Sequence, residues 1–294
     1  NAVLGNIVSY DGALNLYGNN TCSGGLALVC GKANMTGTNT FIGSGDVYFG
    51  SSATTNGTLT IGPNGRLTCG GNFRLGLASG SGALYLNGGS FSNSAAGGDL
   101  NFSFGRETNS YGYFRMTGGR VNAGRFQTGG NTGDVYARGR GLARITGGDL
   151  TFTEYILIGR NIGCESVLTL DGGTITHAAS GSALVLCLSG GHSDINLTGG
   201  SLNNANNNVW YQNNTGAGTS TGTGMVNLCA GMLTTAPLQN LYNSQAFLNF
   251  CGGTLAASAD STVFVPTNMT GVYTFGSYSG FAGGAVIDSN GKNI

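Results

Sequence analysis

The sequence predicts an all-β protein, a right-handed parallel β-helix (a solenoid) of roughly ten coils. Three observations support this prediction. Of the 294 residues, 56 are Gly, only 3 are Pro and 8% are charged. A strand–turn–strand segment recurs about every 28 residues, which is a solenoid period. Within each copy, apolar and polar residues alternate, as they do in strands that are buried on one face.

The composition excludes several other classes of protein. Collagen needs Gly at every third position and abundant Pro. A helical bundle contains little Gly, because each Gly in a helix interior costs about 1 kcal/mol relative to Ala. The 40% apolar content argues against a disordered chain. Lys plus Arg and Asp plus Glu balance at 12 each, so the chain lacks the basic excess that binds nucleic acid. No apolar run reaches the roughly 18 residues of a membrane-spanning helix.

Each repeat consists of a strand, a turn pair and a second strand. The turn pairs, Gly-Gly in all but one copy, begin at residues 88, 118, 147, 172, 199, 230 and 252. The residues two and four positions before the pair, and the residue three positions after its start, are apolar in every copy. A third short strand lies between copies, as in residues 101–105 and 155–159. One such coil cannot bury its apolar face, whereas coils stacked about 4.8 Å apart can.

We predict one continuous β-helix domain over residues 1–294, because no shift in composition marks a linker. Residues 1–56 form less regular coils, and residues 57–294 form the regular Gly-Gly coils. The chain begins with Asn1 and shows no charged-then-apolar leader, which indicates a processed protein or part of a longer chain. The small polar residues and low charge favour an extracellular or cell-surface location.

The C-terminal part carries the most specific pattern, LNFCGGTLAASADSTVFVP (248–266) followed by SGFAGGAVIDSNGKNI (279–294). With the LxLxGGxL pattern over residues 57–294, it resembles the autotransporter-associated β-strand repeat of large bacterial surface proteins. The resemblance implies a passenger-like parallel β-helix outside the cell, with a structural or adhesive role. The expected architecture is pectin-lyase-like.

The sequence predicts no enzymatic activity, no cofactor and no metal site. Parallel β-helices that cleave acidic polysaccharides need clustered carboxylates as acid and base. Here Asp149, Asp171 and Asp194 fall at different repeat positions. The two histidines, His177 and His192, stand among scattered acids and do not form a zinc ligand set.

Two weak candidates for glycan contact stand out. Arg115 and Arg144 share an outward column on adjacent coils and could contact an anionic glycan; solvated Arg heads, or pairing with a nearby Glu such as Glu154, are the alternative. Trp210 and Tyr211 could form a platform on which a sugar stacks, or they could fill the core.

The chain contains 7 Cys without zinc spacing. Cys229 and Cys251 both immediately precede a turn pair, so stacking would place their Cα atoms about 4.8 Å apart, inside the disulfide range of about 4.4–6.8 Å. We predict a cross-coil disulfide or a stacked thiol pair there. Cys22 and Cys30 flank a short loop and could also pair. Alternatively, the cysteines are small apolar residues in ladders.

The ends of the solenoid suggest the function. Each open end exposes unpaired backbone groups that can template association, and no amphipathic helix covers either end. Candidate assembly residues are Val3, Leu4, Val286, Ile287 and Ile294. The first hypothesis is a secreted structural subunit of an extracellular filament or surface fibre that assembles end to end with copies of itself. The second is a carbohydrate-binding or polysaccharide-degrading β-helix, adhesin-like or tailspike-like, with surface glycans as partners. Neither hypothesis involves nucleic acid or a membrane-spanning segment.

Overall fold

The computed structural model describes residues 2–4, 6–41, 45–93, 101–130, 138–179, 183–212, 222–242, 244–277 and 280–294. These residues form 31 β-strands and no helix. All strand pairs are parallel, and successive coils stack into a β-solenoid. The predicted fold class is therefore confirmed.

Each coil contributes one strand to each of three rows, and the first two rows belong to one 21-stranded sheet. The first row precedes the turn pairs and contains β3 (Ala13–Leu16), β6 (Gly31–Met35), β9 (Asn56–Ile61), β12 (Ser81–Asn93), β14 (Tyr111–Ala123), β16 (Arg140–Ile145), β19 (Glu165–Leu170), β22 (His192–Leu197), β25 (Thr223–Leu228), β28 (Gln245–Phe250) and β30 (Gly271–Thr274). Strands β12 and β14 run on through their turn pairs into the second row.

The second row follows the turn pairs. Besides the ends of β12 and β14, it contains β1 (Ala2–Leu4), β4 (Asn20–Cys22), β7 (Thr38–Phe41), β10 (Arg66–Cys69), β17 (Asp149–Phe152), β20 (Thr174–His177), β23 (Ser201–Asn204), β26 (Met232–Thr235), β29 (Thr254–Ala257) and β31 (Val286–Asp288). The third row is the separate ten-stranded sheet, with β2 (Ile7–Ser9), β5 (Leu26–Leu28), β8 (Val47–Phe49), β11 (Phe73–Leu75), β13 (Asn101–Phe104), β15 (Arg125–Thr128), β18 (Ile156–Ile158), β21 (Leu184–Leu186), β24 (Val209–Gln212) and β27 (Leu238–Leu241).

Coil length changes along the chain. Asn15 stacks on Asn34, 19 residues later, whereas the step is 31 residues from Asn196 to Asn227. The short coils lie at the N-terminal end, and the solenoid has about eight turns in all. The predicted ten coils and the pectin-lyase-like label are not confirmed. The single domain over 1–294 and its division at residue 56 stay predictions.

Alternation along the strands produces one continuous core. Every residue of the three predicted apolar columns is buried, and the core cluster extends from Leu16 to Phe264. Phenylalanines fill its middle; the rings of Phe73, Phe91 and Phe102 lie with their centroids 4.8–5.3 Å apart. The outward residues between these columns are partly or fully exposed in the first two rows, as in β19 and β25.

The turn pairs bring the backbones of adjacent coils into contact. Gly119 has a φ of 94°, and a Cβ on it would lie 2.0 Å from the carbonyl oxygen of Gly89 on the preceding coil. Only glycine fits this position, because the backbone is left-handed and the neighbouring coil occupies the space of a side chain.

The third row departs from the predicted alternation. Its outward residues Ser103, Gln127, Leu157 and Val185 are at most 5% exposed, so both faces of this sheet are buried there. Tyr155 and Leu188, which flank strands β18 and β21, and Trp210 of β24 pack against Leu157 and Val185. This covered outer face differs from the rest of the solenoid surface.

Candidate functional site

The C-terminal end of the stack carries a group of exposed apolar side chains. Strand β30 pairs with β28 and strand β31 pairs with β29; within the described ranges no strand pairs with their other edges. We name the C-terminal apolar end by its exposed members, each 44–52% accessible: Val263, Val272, Tyr273, Phe275, Val286, Ile287 and Ile294.

The predicted C-terminal assembly residues belong to this surface. Ile287 and Ile294 line a depression of about 450 Å³ together with Val263 and Phe264, and Val286 lies beside them in β31. At the opposite end, Val3 and Leu4 lie in β1, which pairs with β4; their side chains are outside the described residues. All five therefore lie in terminal coils of the stack.

One of the two predicted cysteine pairs forms a disulfide. Cys229 and Cys251 are bonded, with their Cα atoms 4.2 Å apart on adjacent coils. The flanking strands explain the pairing, because Leu228 stacks on Phe250 in register and the cysteines follow directly. Identical repeat positions on neighbouring coils therefore place the two sulfur atoms side by side.

The predicted pairing of Cys22 with Cys30 is wrong, because both thiols are free. Cys22 ends a second-row strand and is buried in the core, whereas Cys30 follows the third-row strand β5 and is only half-buried. The buried free thiols fit the alternative of small apolar residues in the stack. Burial raises the pKa of Cys69 and Cys164 to about 12, so both remain protonated thiols.

The outward column of the first row contains a ladder of polar side chains. The Asn227 amide donates to Asn196 Oδ1 at 2.7 Å, and the Asn249 amide donates to Asn227 Oδ1 at 2.7 Å. Asn34 makes the equivalent bond to Asn15 at 3.0 Å. These hydrogen bonds link adjacent coils on the solvent side and support their parallel register.

Arg115 and Arg144 occupy this same column and lie directly opposite each other in the ladder, as predicted. Arg144 Nε forms an ion pair with Asp171 Oδ2 at 2.7 Å, and the Thr198 hydroxyl also donates to Asp171. Burial raises the pKa of Asp171, but these hydrogen bonds outweigh it and hold that pKa below its ordinary value. Arg144 is thus paired with a carboxylate that the sequence analysis did not assign to it, and glycan contact at this column stays a prediction.

The predicted aromatic platform is divided between the two faces of β24. Tyr211 is fully buried and its hydroxyl donates to the Phe247 carbonyl oxygen at 3.1 Å. Burial raises the pKa of Tyr211 far above its ordinary value. Tyr211 is therefore a core residue, and its assignment as a glycan contact is wrong. Trp210, one residue earlier, faces outward and is only partly covered.

Trp210 lines a groove on the covered face of the third row. We call it the basic-aromatic groove; its volume is about 270 Å³ and its walls are Arg125, Tyr155, Leu157, Arg160, Val185, Leu188 and Trp210. The guanidinium of Arg125 lies 5.5 Å from the ring centroid of Tyr155, and its Nε pairs with Glu154 Oε2 at 2.6 Å. Arg160 Nη1 donates to Gln127 Oε1 at 3.2 Å.

Sequence reasoning did not bring Arg125, Tyr155 and Arg160 together with Trp210. These residues come from three different coils, and each lies beside or within a third-row strand. The available signal is the register of that row, in which Leu157 stacks on Val185 and Val185 on Trp210. An apolar run in an outward column indicates a covered surface.

The acids and histidines are dispersed over the solenoid. Asp149 lies in a shallow depression of about 430 Å³ with Arg66 and Arg120, while Asp194 lies 3.3 Å from His192 Nε2. His177 is buried, and its Nδ1 lies 2.6 Å from Asn204 Oδ1. No group of three or more His, Cys, Asp or Glu in the described part of the chain could hold a metal ion.

Comparison with protein-family models, curated proteins and solved structures finds no match to this chain. The likeness to autotransporter-associated repeats therefore stays an expectation that rests on the sequence pattern. In the described ranges, no helix has the length and apolar character that a helical membrane crossing requires.

Proposed function

We propose that the protein is a structural subunit of an extracellular filament or surface fibre, which assembles end to end with copies of itself. The β-solenoid fold is consistent with a structural or surface protein. The observation that supports the finer proposal is the C-terminal apolar end, where two strand edges and seven exposed apolar side chains fall within residues 263–294. Isolated exposed apolar residues are ordinary, whereas a contiguous group marks a contact surface.

Strand lengths at the two ends match in the first and second rows, whereas the third row ends at β27. In the first row, β30 and β3 each have 4 residues; in the second row, β31 and β1 each have 3. A second copy could therefore continue both rows as parallel ladders. Val272, Val286 and Ile287 are each about half exposed, so covering them would contribute roughly 1 kcal/mol apiece. The net charge of zero opposes such association little.

We also propose that the protein is extracellular or on the cell surface, and that it is related to the autotransporter-associated repeats. The disulfide between Cys229 and Cys251 supports the location, because disulfides persist in oxidising compartments. Carbohydrate binding is a second candidate function, and the basic-aromatic groove supports it.

Negative-stain electron microscopy and sedimentation of the purified chain test the filament proposal. Val286→Asp places a charge in the C-terminal apolar end and should abolish particles longer than one subunit. Met232→Asp is the matched control, since Met232 occupies the same ladder column two coils earlier and is 41% exposed. Uniform single subunits of the unmodified protein at high concentration, or unchanged fibres of the Val286 variant, would overturn the proposal.

A further inference from the structure

We propose that the basic-aromatic groove binds an acidic polysaccharide, with a uronic acid ring packed against Trp210 and Tyr155 and its carboxylate held by Arg160 and Arg125. The groove lies on the side of the solenoid, away from the ends. The inference is therefore separate from end-to-end assembly and would hold for a single subunit.

Two further arginines lie along this face, each with a carboxylate close by. Arg74 lies in the outward column of the same row and pairs with Asp46 at 2.8 Å. Burial and, next, the positive charge of Arg74 lower the pKa of Arg106, while the carboxylates of Glu107 and Asp46 act in the opposite direction. Arg74 and Arg106 therefore present neighbouring guanidinium groups whose charge Asp46 and Glu107 balance in part.

The shape of the face suits a linear polymer. The outward column runs in register from Arg74 through Ser103, Gln127, Leu157 and Val185 to Trp210. These five steps correspond to about 24 Å at a strand spacing of about 4.8 Å. Ser103 and Gln127 in this column are at most 2% exposed, so a polymer would contact the face at Arg74 and at the basic-aromatic groove, which coil stacking places on one line.

The residue at position 210 is not the one that stability alone would favour. The indole N–H of Trp210 is buried and has no hydrogen-bond partner in the described part of the protein. Such a group costs about 1–3 kcal/mol, and Phe would fill much of the same space without it. Tyr211 beside it has a satisfied hydroxyl. The partly exposed Trp210 ring therefore fits a recognition role better than a packing role.

The chemistry favours an acidic sugar over a nucleic acid. Arg binds planar carboxylates through two parallel hydrogen bonds, and the apolar face of a pyranose ring packs on aromatic rings. A nucleic acid carries a phosphate at every nucleotide and depends on an excess of basic residues. Here Asp46 and Glu154 already offset part of the charge of Arg74 and Arg125. A ligand with widely spaced carboxylates matches this balance.

Trp210 is the only tryptophan in the chain, so its fluorescence reports directly on the groove. We would titrate the protein with β-1,4-tetramannuronate, and with β-1,4-mannotetraose as the neutral counterpart that has a hydroxymethyl group in place of each carboxylate. The expected result is a saturable change in emission with the acidic oligosaccharide only, with an affinity that falls as salt is added.

Variants decide whether the groove itself is responsible. Arg160→Gln should weaken binding by about tenfold, the effect of losing one charged hydrogen bond. Arg120→Gln is the matched control, because it removes the same charge from an exposed position in the second row, where no glycan contact is predicted. Trp210→Phe, followed by calorimetry and checked for folding by circular dichroism, should also weaken binding. No binding, equal weakening by Arg120→Gln, equal binding of mannotetraose or equal binding of an oligothymidylate would each overturn the inference.

Discussion

The two glycines of one turn pair should respond in opposite ways to substitution by alanine. At Gly119, φ is 94° and the new Cβ would lie 2.0 Å from the carbonyl oxygen of Gly89. The left-handed backbone costs an L-residue about 1–2 kcal/mol. Separating the overlapping coils adds about 1–3 kcal/mol, as in other overpacked sites. Gly119→Ala should therefore lower the free energy of unfolding by about 2–5 kcal/mol.

Gly118→Ala is the matched control in the same turn. Its Cβ would meet only Gly88 Cα at 3.8 Å, an ordinary contact, and its backbone is not left-handed. Replacing such a glycine stabilises a protein by about 0.4–1 kcal/mol, because the unfolded chain loses freedom. Urea unfolding followed by far-UV circular dichroism measures both variants, and their slopes with denaturant show whether cooperativity is kept. If Gly119→Ala and Gly118→Ala unfold at the same urea concentration, the backbone contact between coils is not the reason why position 119 requires glycine.

Three further changes test other parts of the structure. Replacing Cys229 and Cys251 by Ser opens a crosslink that spans 22 residues and should cost about 3 kcal/mol; reductant should lower the melting temperature of the unmodified protein but not of this variant. Burial lowers the pKa of His177, so unfolding takes up a proton below about pH 6.5, and the free energy of unfolding should fall as the pH drops. His177→Gln should weaken this pH dependence when urea unfolding is measured at several pH values. An unchanged pH dependence would contradict the assignment. Tyr211→Phe removes the hydrogen bond to the Phe247 carbonyl and should cost about 1 kcal/mol by thermal unfolding, whereas a loss of less than a few tenths would show that the bond contributes little.

The parts of the fold that depend on local pattern could be predicted from the sequence. Leu168 and Leu170 alternate with polar residues, so burial of their face follows from strand geometry. The disulfide between Cys229 and Cys251 was predictable because identical repeat positions stack on neighbouring coils. The same reasoning explains why Cys22 is not bonded to a cysteine eight positions away, since a residue's neighbours in a solenoid lie one coil apart.

The basic-aromatic groove could not be predicted, because it depends on which side chains cover the third row. In β24, Val209, Trp210 and Tyr211 are all apolar. Strand alternation places Trp210 on the opposite face from Val209 and Tyr211, but the residue types do not show which face is buried. Arg125 and Arg160 line one groove with Trp210 only when the four coils that carry β15, β18, β21 and β24 are superposed in register. A difference of one residue in a coil length would alter that superposition.

The disulfide also determines how the solenoid would respond to mechanical force. A pull on Ile294 along the stack would peel off β31 and β30 first, because each is held to one neighbouring strand. Strand β29, which lies between β30 and Cys251, would detach from β26 next. Tension would then reach Cys251 and pass through the sulfur–sulfur bond to Cys229, bypassing residues 230–250. Strand β28 lies inside that bypassed loop and carries no load. Unravelling from the C-terminus would therefore release one strand at a time only as far as the disulfide.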